Sequence, residues 1–308
     1  MKIRVVLNPK SKSGGQEYIG RTLKEKFSQC LISIEETAYP GHAIRMAQKA
    51  SQENADTLVV VGGDGTVNEV LNGIAGTNIK LGIIPTGTAN DLATLYHIPT
   101  DVAGACDVIL ENNLSCLDLI CVNGRYYVTS GGIGLPGEVV RIANKIKLKS
   151  LVGRFVGQFL GSRIYLLAVL CALLKKSKQG HLMDIQWEDC SLNMDPLAFM
   201  VDNQPFLGRD FLISPGAINN DGLLDICLIK NSKSRIQTFT LLFKVRKGSH
   251  IHLPSVRRWQ TCELIVQTEE SLPFFGDGEV FGQSSQFSIK IVPKALRVIV
   301  PKANISQG

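Results

Sequence analysis

The chain has no GxxxxGK[ST] loop, which excludes a P-loop phosphate site. None of its eight cysteines forms a CxxC pair, and several, such as Cys121, Cys171 and Cys227, stand in apolar runs. That argues against a zinc or disulfide framework and reads as reduced core thiols of a cytosolic protein. Nor is there an apolar run of the roughly 20 residues that a membrane span needs. The nearest case, residues 155–174, is broken by Gln158, Ser162 and Arg163, and reads as a buried or interfacial helix. Met1-Lys2-Ile3-Arg4 runs straight into a strand, so no signal peptide is expected. Internal repeats, low-complexity tracts and long linkers are missing too. The net charge of +6, from 33 basic and 27 acidic residues, is mild and is not read as an arm or tail. Nucleic acid is therefore not expected as a partner.

What is present is 308 residues, enough for two domains, at 44% hydrophobic and 19% charged, the balance of a globular chain. Val59-Val60-Val61 reads as a buried parallel strand. Gly62-Gly63-Asp64-Gly65-Thr66 then turns tightly, and Val67, Val70, Leu71 and Ile74 recur at helical spacing. Thr66 and Glu69 stand three apart, the spacing of a capping box. A glycine-rich turn from strand to helix offers backbone N–H groups at a positive helix end, which suits a phosphate. Asp64 is out of place there unless a metal ion or a transferable proton lies between carboxylate and phosphate. Nucleotide chemistry with magnesium accommodates it. The turn is not a Rossmann GxGxxG, and alone it could be no more than a tight turn.

Around this stretch, residues 3–7, 31–38 and 80–84 read as further strands. Helices are expected with Ile19, Leu23 and Phe27 on one inner face, with Ile44, Ala47 and Ala50 on another, and over 103–110. Such alternation predicts a parallel sheet with ligands at the carboxyl ends of its strands. Three polar loops, 8–15, 62–66 and 85–90, leave those ends. From Cys116 the pattern changes. Asn123-Gly124 between two apolar runs signals a hairpin. After a helical stretch over about residues 137–178, strand-like runs dominate at 181–188, 197–201, 223–229, 262–267, 287–292 and 296–300, and only 235–247 looks helical. The expected division is a nucleotide-binding α/β domain over 1–117, a β-rich acceptor domain over 118–292 and a tail, 293–308, returning to the first domain.

Asn8-Pro9 with Gly14-Gly15, Gly62-Gly63-Asp64-Gly65-Thr66, and Pro85-Thr86-Gly87-Thr88-Ala89-Asn90-Asp91-Leu92-Ala93 together resemble the catalytic domain of the diacylglycerol kinase and bacterial lipid kinase family, which includes sphingosine and ceramide kinases. The GGDGT element is shared with NAD kinases and phosphofructokinases, whereas GTANDLA points to the lipid kinases. The resemblance runs the length of the chain. It implies an α/β domain of the NAD kinase and phosphofructokinase type, with a parallel sheet, followed by a mostly β sandwich. It also implies ATP lying across the three loops. Asn8, Pro9, Lys10, Ser11 and Lys12 would form the first wall, and Thr37 would contact the nucleotide. Gly63, Asp64, Gly65, Thr66, Val67, Asn68 and Glu69 would hold the phosphates, and Thr88 would add a hydroxyl. Donors and a helix end stabilise charge on the transferring phosphoryl group, with Mg2+ neutralising the rest. For these residues the plain alternatives are caps, an ordinary strand residue and solvated lysines.

Phe274-Phe275-Gly276-Asp277-Gly278-Glu279-Val280-Phe281 reads from its residues as a hairpin turn. By the resemblance Glu279 is the general base for the lipid hydroxyl. Asp64 is the rival base, and is otherwise placed with Asp91 and Asp277 in a magnesium network. Residues 217–225 read as an Asn-Asp-Gly turn. There the resemblance implies a second magnesium, held by the Asp221 carboxylate and the Ile218 and Leu223 backbone carbonyls, away from the nucleotide. Gly131-Gly132-Ile133-Gly134-Leu135 opens the β domain with little side-chain bulk, which leaves room for a close approach there. His250 and His252 have no third metal ligand near them in sequence.

The activity implied is ATP- and magnesium-dependent transfer of a γ-phosphoryl group to a hydroxyl of a membrane lipid in an interdomain cleft. Diacylglycerol, phosphatidylglycerol and sphingoid bases are the candidate acceptors. A soluble acceptor, as in NAD kinases, and a non-catalytic nucleotide-binding relative are the alternatives. Arg141, Lys145, Lys147 and Lys149, interleaved with Ile142, Ile146 and Leu148, read either as a face for anionic headgroups or as a solvated surface over a buried stripe. The expected location is cytoplasmic and peripheral to the membrane, and a homodimer is left open.

Overall fold

The computed structural model describes residues 1–10, 15–139, 142, 181–207, 211–231 and 234–302. Ser11, Lys12, the basic positions 141–149 and the apolar stretch 155–174 lie outside them. The chain divides into two compact units, Met1–Leu119 with Val292–Gly308, and Ile120–Ile291.

In the first unit, β1 (Ile3–Leu7), α1 (Gln16–Lys26), β2 (Leu31–Glu36), α2 (His42–Gln52), β3 (Thr57–Gly62), α3 (Asp64–Ile74), β4 (Lys80–Pro85), α4 (Asp91–Leu95) and α5 (Val102–Glu111) follow one another. The strands are all parallel, in the order β4-β3-β1-β2. β3 is buried at every position. That is why its sequence is an apolar run and not an alternation. Ile19, Leu23 and Phe27 are buried as their spacing predicts, and so are Ala47 and Ala50 of α2. Gly73 of α3 gives way to α2, since a Cβ there would collide with Ala47.

β5 (Leu114–Val122) leads into the second unit, which is antiparallel. It contains β6 (Arg125–Tyr127), β7 (Ser130–Gly134), β8 (Met183–Trp187), β9 (Cys190–Met194), β10 (Pro196–Asp202), β11 (Phe206–Leu207), β12 (Phe211–Leu212), β13 (Leu224–Lys230), the helix Arg235–Arg246, β14 (Val256–Thr261) and β15 (Glu263–Gly276). β14, β13, β10, β7 and β15 lie side by side in that order. The three glycines of β7 are required by this packing. A Cβ on Gly132 would collide with Phe199 O, and one on Gly131 would stand 2.6 Å from Phe275 O. The core gathers Tyr127, Phe199, Phe274 and Phe287, and the Tyr127 hydroxyl donates to Val201 O at 2.8 Å.

Residues 287–292 and 296–300, read as two strands, are parts of one strand of 21 residues, β16 (Glu279–Ile299). Pro293-Lys294 suggests a break, but Lys294 takes a left-handed conformation (φ 52°) and its N–H donates to the Asp118 carboxylate at 2.7 Å. The strand bends there and continues. Its end belongs to the first unit, where Arg297 and Val298 pair in parallel with Lys80 and Leu81 of β4. No helix among the described residues is long and apolar enough to cross a membrane.

Candidate active site

Three loops at the carboxyl ends of β1, β3 and β4 are tied into one assembly. Gly63, in extended conformation, is the N-cap of α3. Its carbonyl accepts from Thr66 N and Val67 N, both at 3.0 Å. The N–H groups of Asp64 and Gly65, in the same first turn, have no intrahelical acceptor to reach. Alongside, Thr86 N donates to Gly62 O at 3.0 Å, and the chain then loops through Gly87 to Asn90. Asn90 is left-handed (φ 52°). Its side chain closes the loop, accepting from Gly87 N and donating to Gly87 O, each at 3.0 Å.

Asp64 joins the two loops. Its Oδ2 accepts from Asn90 N at 2.9 Å and its Oδ1 from Asp91 N at 2.6 Å. It therefore caps α4, a helix with no capping side chain of its own. The loops also touch backbone to backbone. A Cβ on Gly87 would stand 2.5 Å from Gly63 Cα and 2.7 Å from Asn90 Oδ1. The first loop is bound in through Asn8. Its N–H donates to Val61 O at 2.9 Å, its Nδ2 to Thr66 Oγ1 at 2.8 Å, and its Oδ1 accepts from Lys10 N at 3.0 Å. Thr37, just past β2, donates its N–H to Leu7 O at 2.9 Å. Lys10, Gly65 and Thr88 are exposed, Pro9 and Asp91 are half-buried, and Thr66, Val67 and Asn68 are buried.

The capping box expected from Thr66 and Glu69 does not form. α3 begins at Asp64 and has no side-chain cap, so Thr66 sits inside its first turn and its hydroxyl oxygen accepts from Asn8 Nδ2. The Glu69 carboxylate accepts instead from Gly41 N at 2.8 Å and Ala43 N at 3.1 Å, which caps α2.

In the second unit, Asp277 and Gly278 make the expected hairpin turn, both left-handed at φ 50° and 75°. The Asp277 carboxylate accepts from Thr129 N at 2.8 Å, from Thr129 Oγ1 at 2.7 Å and from Val128 N at 3.2 Å. These bonds anchor the hairpin through Asp277. Glu279 begins β16 and is exposed. It faces Gly276 in the register, and a Cβ on Gly276 would stand 2.9 Å from the Tyr127 ring. The exposed glutamate thus sits on a turn fixed from below.

At the start of β13, Asp221 is exposed and its Oδ1 accepts from Leu223 N at 3.0 Å. Burial, with the Asp221 charge adding to it, pushes the Asp225 carboxyl up to about 6. Asp225 Oδ2 is buried with no hydrogen-bond partner. Among the described residues no group of three or more His, Cys, Asp or Glu side chains is placed to cage a metal. His250 is buried, with Nε2 3.0 Å from Ile213 O. A second buried carboxyl, Asp202, accepts from Ser214 Oγ at 2.5 Å, and burial lifts it to about 8.

Residues 2–122 match the family model of the diacylglycerol kinase catalytic domain, and residues 134–300 match that of the YegS C-terminal NAD kinase beta sandwich-like domain. The chain belongs to the diacylglycerol kinase catalytic-domain family. It is a lipid kinase, a phosphotransferase, as the three loops imply. A diacylglycerol kinase of Staphylococcus aureus (strain JH9) is 28% identical over 295 residues, which cover 92% of this chain and 87% of that one. The enzyme of strain Newman matches to the same extent. Among solved structures, a candidate diacylglycerol kinase from Bacillus anthracis str. Sterne shares the fold, with a TM-score of 0.78 at 23% identity over 98% of both chains.

Two members of this loop assembly escape the sequence reading in their structural roles. Gly87 is needed for the contact with Gly63, and Asn90 closes its loop through its own side chain. The Asn-Asp pair at 90–91 carried a signal, since asparagine tolerates left-handed backbone and bonds to nearby main chain.

Proposed function

We propose that the protein transfers the γ-phosphoryl group of ATP to a hydroxyl of a membrane lipid, with diacylglycerol, phosphatidylglycerol and sphingoid bases as the acceptor class. The Asp64 carboxylate, accepting from both Asn90 and Asp91, carries this reading. It ties the GGDGT and GTAND turns together, and the N–H groups of Asp64 and Gly65 at the start of α3 suit an anion. Asn8, Pro9, Lys10, Gly63, Gly65, Thr66 and Thr88 bind the phosphates in this reading, with Ser11, Lys12 and Thr37 contacting the rest of the nucleotide. Val67, Asn68 and Glu69 act through the backbone of α3 and, for Glu69, by fixing α2.

A second carboxylate, Asp91, follows directly on the Asp64 contact. Two carboxylates at a phosphate-binding end repel the substrate unless a hard cation joins them, so the donor set fits magnesium. Magnesium, when bound, neutralises charge on the phosphates as the transferring group separates. Asp64 and Asp91 would hold it. The Asp221 carboxylate with the Ile218 and Leu223 carbonyls would hold a second ion. The unpartnered Asp225 oxygen beside that turn supports a cation there.

Glu279 is the general base in this reading and accepts the proton of the attacking hydroxyl. The second unit supplies the acceptor side. A cytoplasmic location against the membrane goes with a lipid acceptor.

The test is radiolabelled ATP with a total membrane lipid extract, NAD in a parallel reaction, and identification of the labelled product. Asp64→Ala abolishes transfer to lipid and Glu279→Ala reduces it greatly. Full turnover by both variants overturns the proposal, as does labelling of NAD alone.

A further inference from the structure

The basic excess is concentrated in two stretches, one of which, between Glu138 and Asp184, has nine basic and no acidic residues and lies mostly outside the described residues. Between Asp225 and Glu263 the chain has no acidic residue and eight basic ones, among them Lys244, Arg246, Lys247, Arg257 and Arg258. The net charge of the whole is +6, so the remainder of the chain is net acidic. The excess does not form an arm or tail, but it is gathered within the second unit.

The helix Arg235–Arg246 lies in this segment, packed on β12 and on the short turn Ser249–His252. The helix meets the core through Val245, with Leu241 packed on the same cluster. It buries Thr238, whose hydroxyl donates to Ser234 O at 3.1 Å. It turns two phenylalanines outward, Phe239 at 40% and Phe243 at 55% exposure. No other large apolar side chain among the described residues is as exposed as Phe243. The two are a helical turn apart and meet edge to face, with ring centroids 5.2 Å apart. They form one apolar ridge. Lys244, Arg246 and Lys247, next to Phe243 in the chain, are exposed, and so are Arg257 and Arg258 of the edge strand β14.

Exposed aromatic rings beside cations match the chemistry of a bilayer surface. Rings enter the boundary between headgroups and acyl chains while cations meet anionic lipid. A second copy would set this positive patch against itself under two-fold symmetry. The backbone of a nucleic acid duplex offers the ridge no apolar surface to enter.

We propose that the helix Arg235–Arg246 docks the protein on an anionic bilayer, with Phe239 and Phe243 inserted and Lys244, Arg246 and Lys247 on the headgroups. This rests on the lipid-kinase reading for the choice of a membrane as partner. It assigns the contact to a different element from the basic stretch at 141–149.

The experiment is flotation of the full chain with vesicles of phosphatidylglycerol and phosphatidylcholine in equal parts, against pure phosphatidylcholine. Wild type binds the mixed vesicles and is released by salt. A cation near such a surface contributes about 1 kcal/mol, roughly fivefold. The triple variant Lys244→Gln, Arg246→Gln, Lys247→Gln therefore binds on the order of 100-fold more weakly. Phe239→Ser with Phe243→Ser loses tenfold or more, on the order expected for two partly buried rings. Phe239→Trp keeps binding, and its emission shifts to the blue on mixed vesicles. Both variant sets keep wild-type transfer to a short-chain acceptor dissolved in detergent.

Unchanged vesicle binding in both variant sets overturns the proposal. So does a change from dimer to monomer in the phenylalanine variant with vesicle binding intact. Loss of duplex DNA binding, with vesicle binding intact, overturns it in favour of nucleic acid. If vesicle binding follows this pattern but no lipid acceptor is ever phosphorylated, docking stands and the kinase reading fails.

Discussion

Asp64→Asn separates a structural from a purely chemical part for this residue. The carboxylate satisfies two donors, Asn90 N and Asp91 N, at 2.9 and 2.6 Å. Asparagine keeps one acceptor oxygen and turns an NH2 group towards the other donor. One hydrogen bond is lost and two donors are left facing each other. Hydrogen bonds to a charged acceptor contribute about 1.5–3 kcal/mol. A loss of ~2 kcal/mol from local opening raises amide exchange roughly 30-fold. Hydrogen exchange followed over residues 86–95 checks this, since the effect should be confined to that loop and α4. The urea midpoint should move less than the local exchange does, because β3 and β4 keep their own ladder. Transfer should fall with the loop, through KM for ATP as well as kcat. Unchanged exchange at both Asn90 and Asp91 would refute the reasoning and leave Asp64 with a chemical role alone.

Gly87→Ala places a methyl group 2.5 Å from Gly63 Cα, so the two turns must separate. A destabilisation of about 1–3 kcal/mol is expected, with loss of transfer, measured by thermal melting and turnover. Glu279→Gln acts oppositely. The residue is exposed at a strand start, so melting should be unchanged while kcat falls on the order of 100-fold or more. Asp202→Asn tests the buried carboxyl, which burial lifts to about 8. An unfolded aspartate titrates near about 3.9. Between those values the folded chain holds a proton that the unfolded chain has released. The stability tied to the neutral form is thus complete below pH ~4 and declines as pH rises towards ~8. The variant should flatten that decline in urea midpoints and gain on wild type at pH 8. Parallel curves for the two proteins would contradict the assignment.

Much of this architecture was legible because its signals are local. The Val59–Val61 run announces a strand covered on both faces, and Asn123-Gly124 and Asp277-Gly278 announce turns that need left-handed backbone. Contacts between distant loops were not legible. Thr66 and Glu69 have the spacing of a cap, yet the Thr66 hydroxyl is engaged by Asn8, 58 positions upstream, and Glu69 serves a helix start 26 and 28 positions upstream. Asp64 stood out for its charge in a phosphate turn, but the donors it satisfies lie 26 and 27 positions downstream. Pro293-Lys294 looked like an ending because a left-handed lysine within a strand has no local signature. The outward phenylalanines were invisible for the opposite reason, since a periodic pattern does not say which face of a helix meets the core.

The long strand β16 has a consequence for biosynthesis. The residues that complete the parallel sheet beside β4 are made after the whole second unit. The first unit therefore cannot close its sheet until the second unit has been made. A chain ended at residue 291 would leave β4 as a bare edge, open to pairing with another molecule. C-terminal truncation should accordingly produce aggregates in place of a smaller working enzyme, although all three loops at the ends of β1, β3 and β4 would still be encoded.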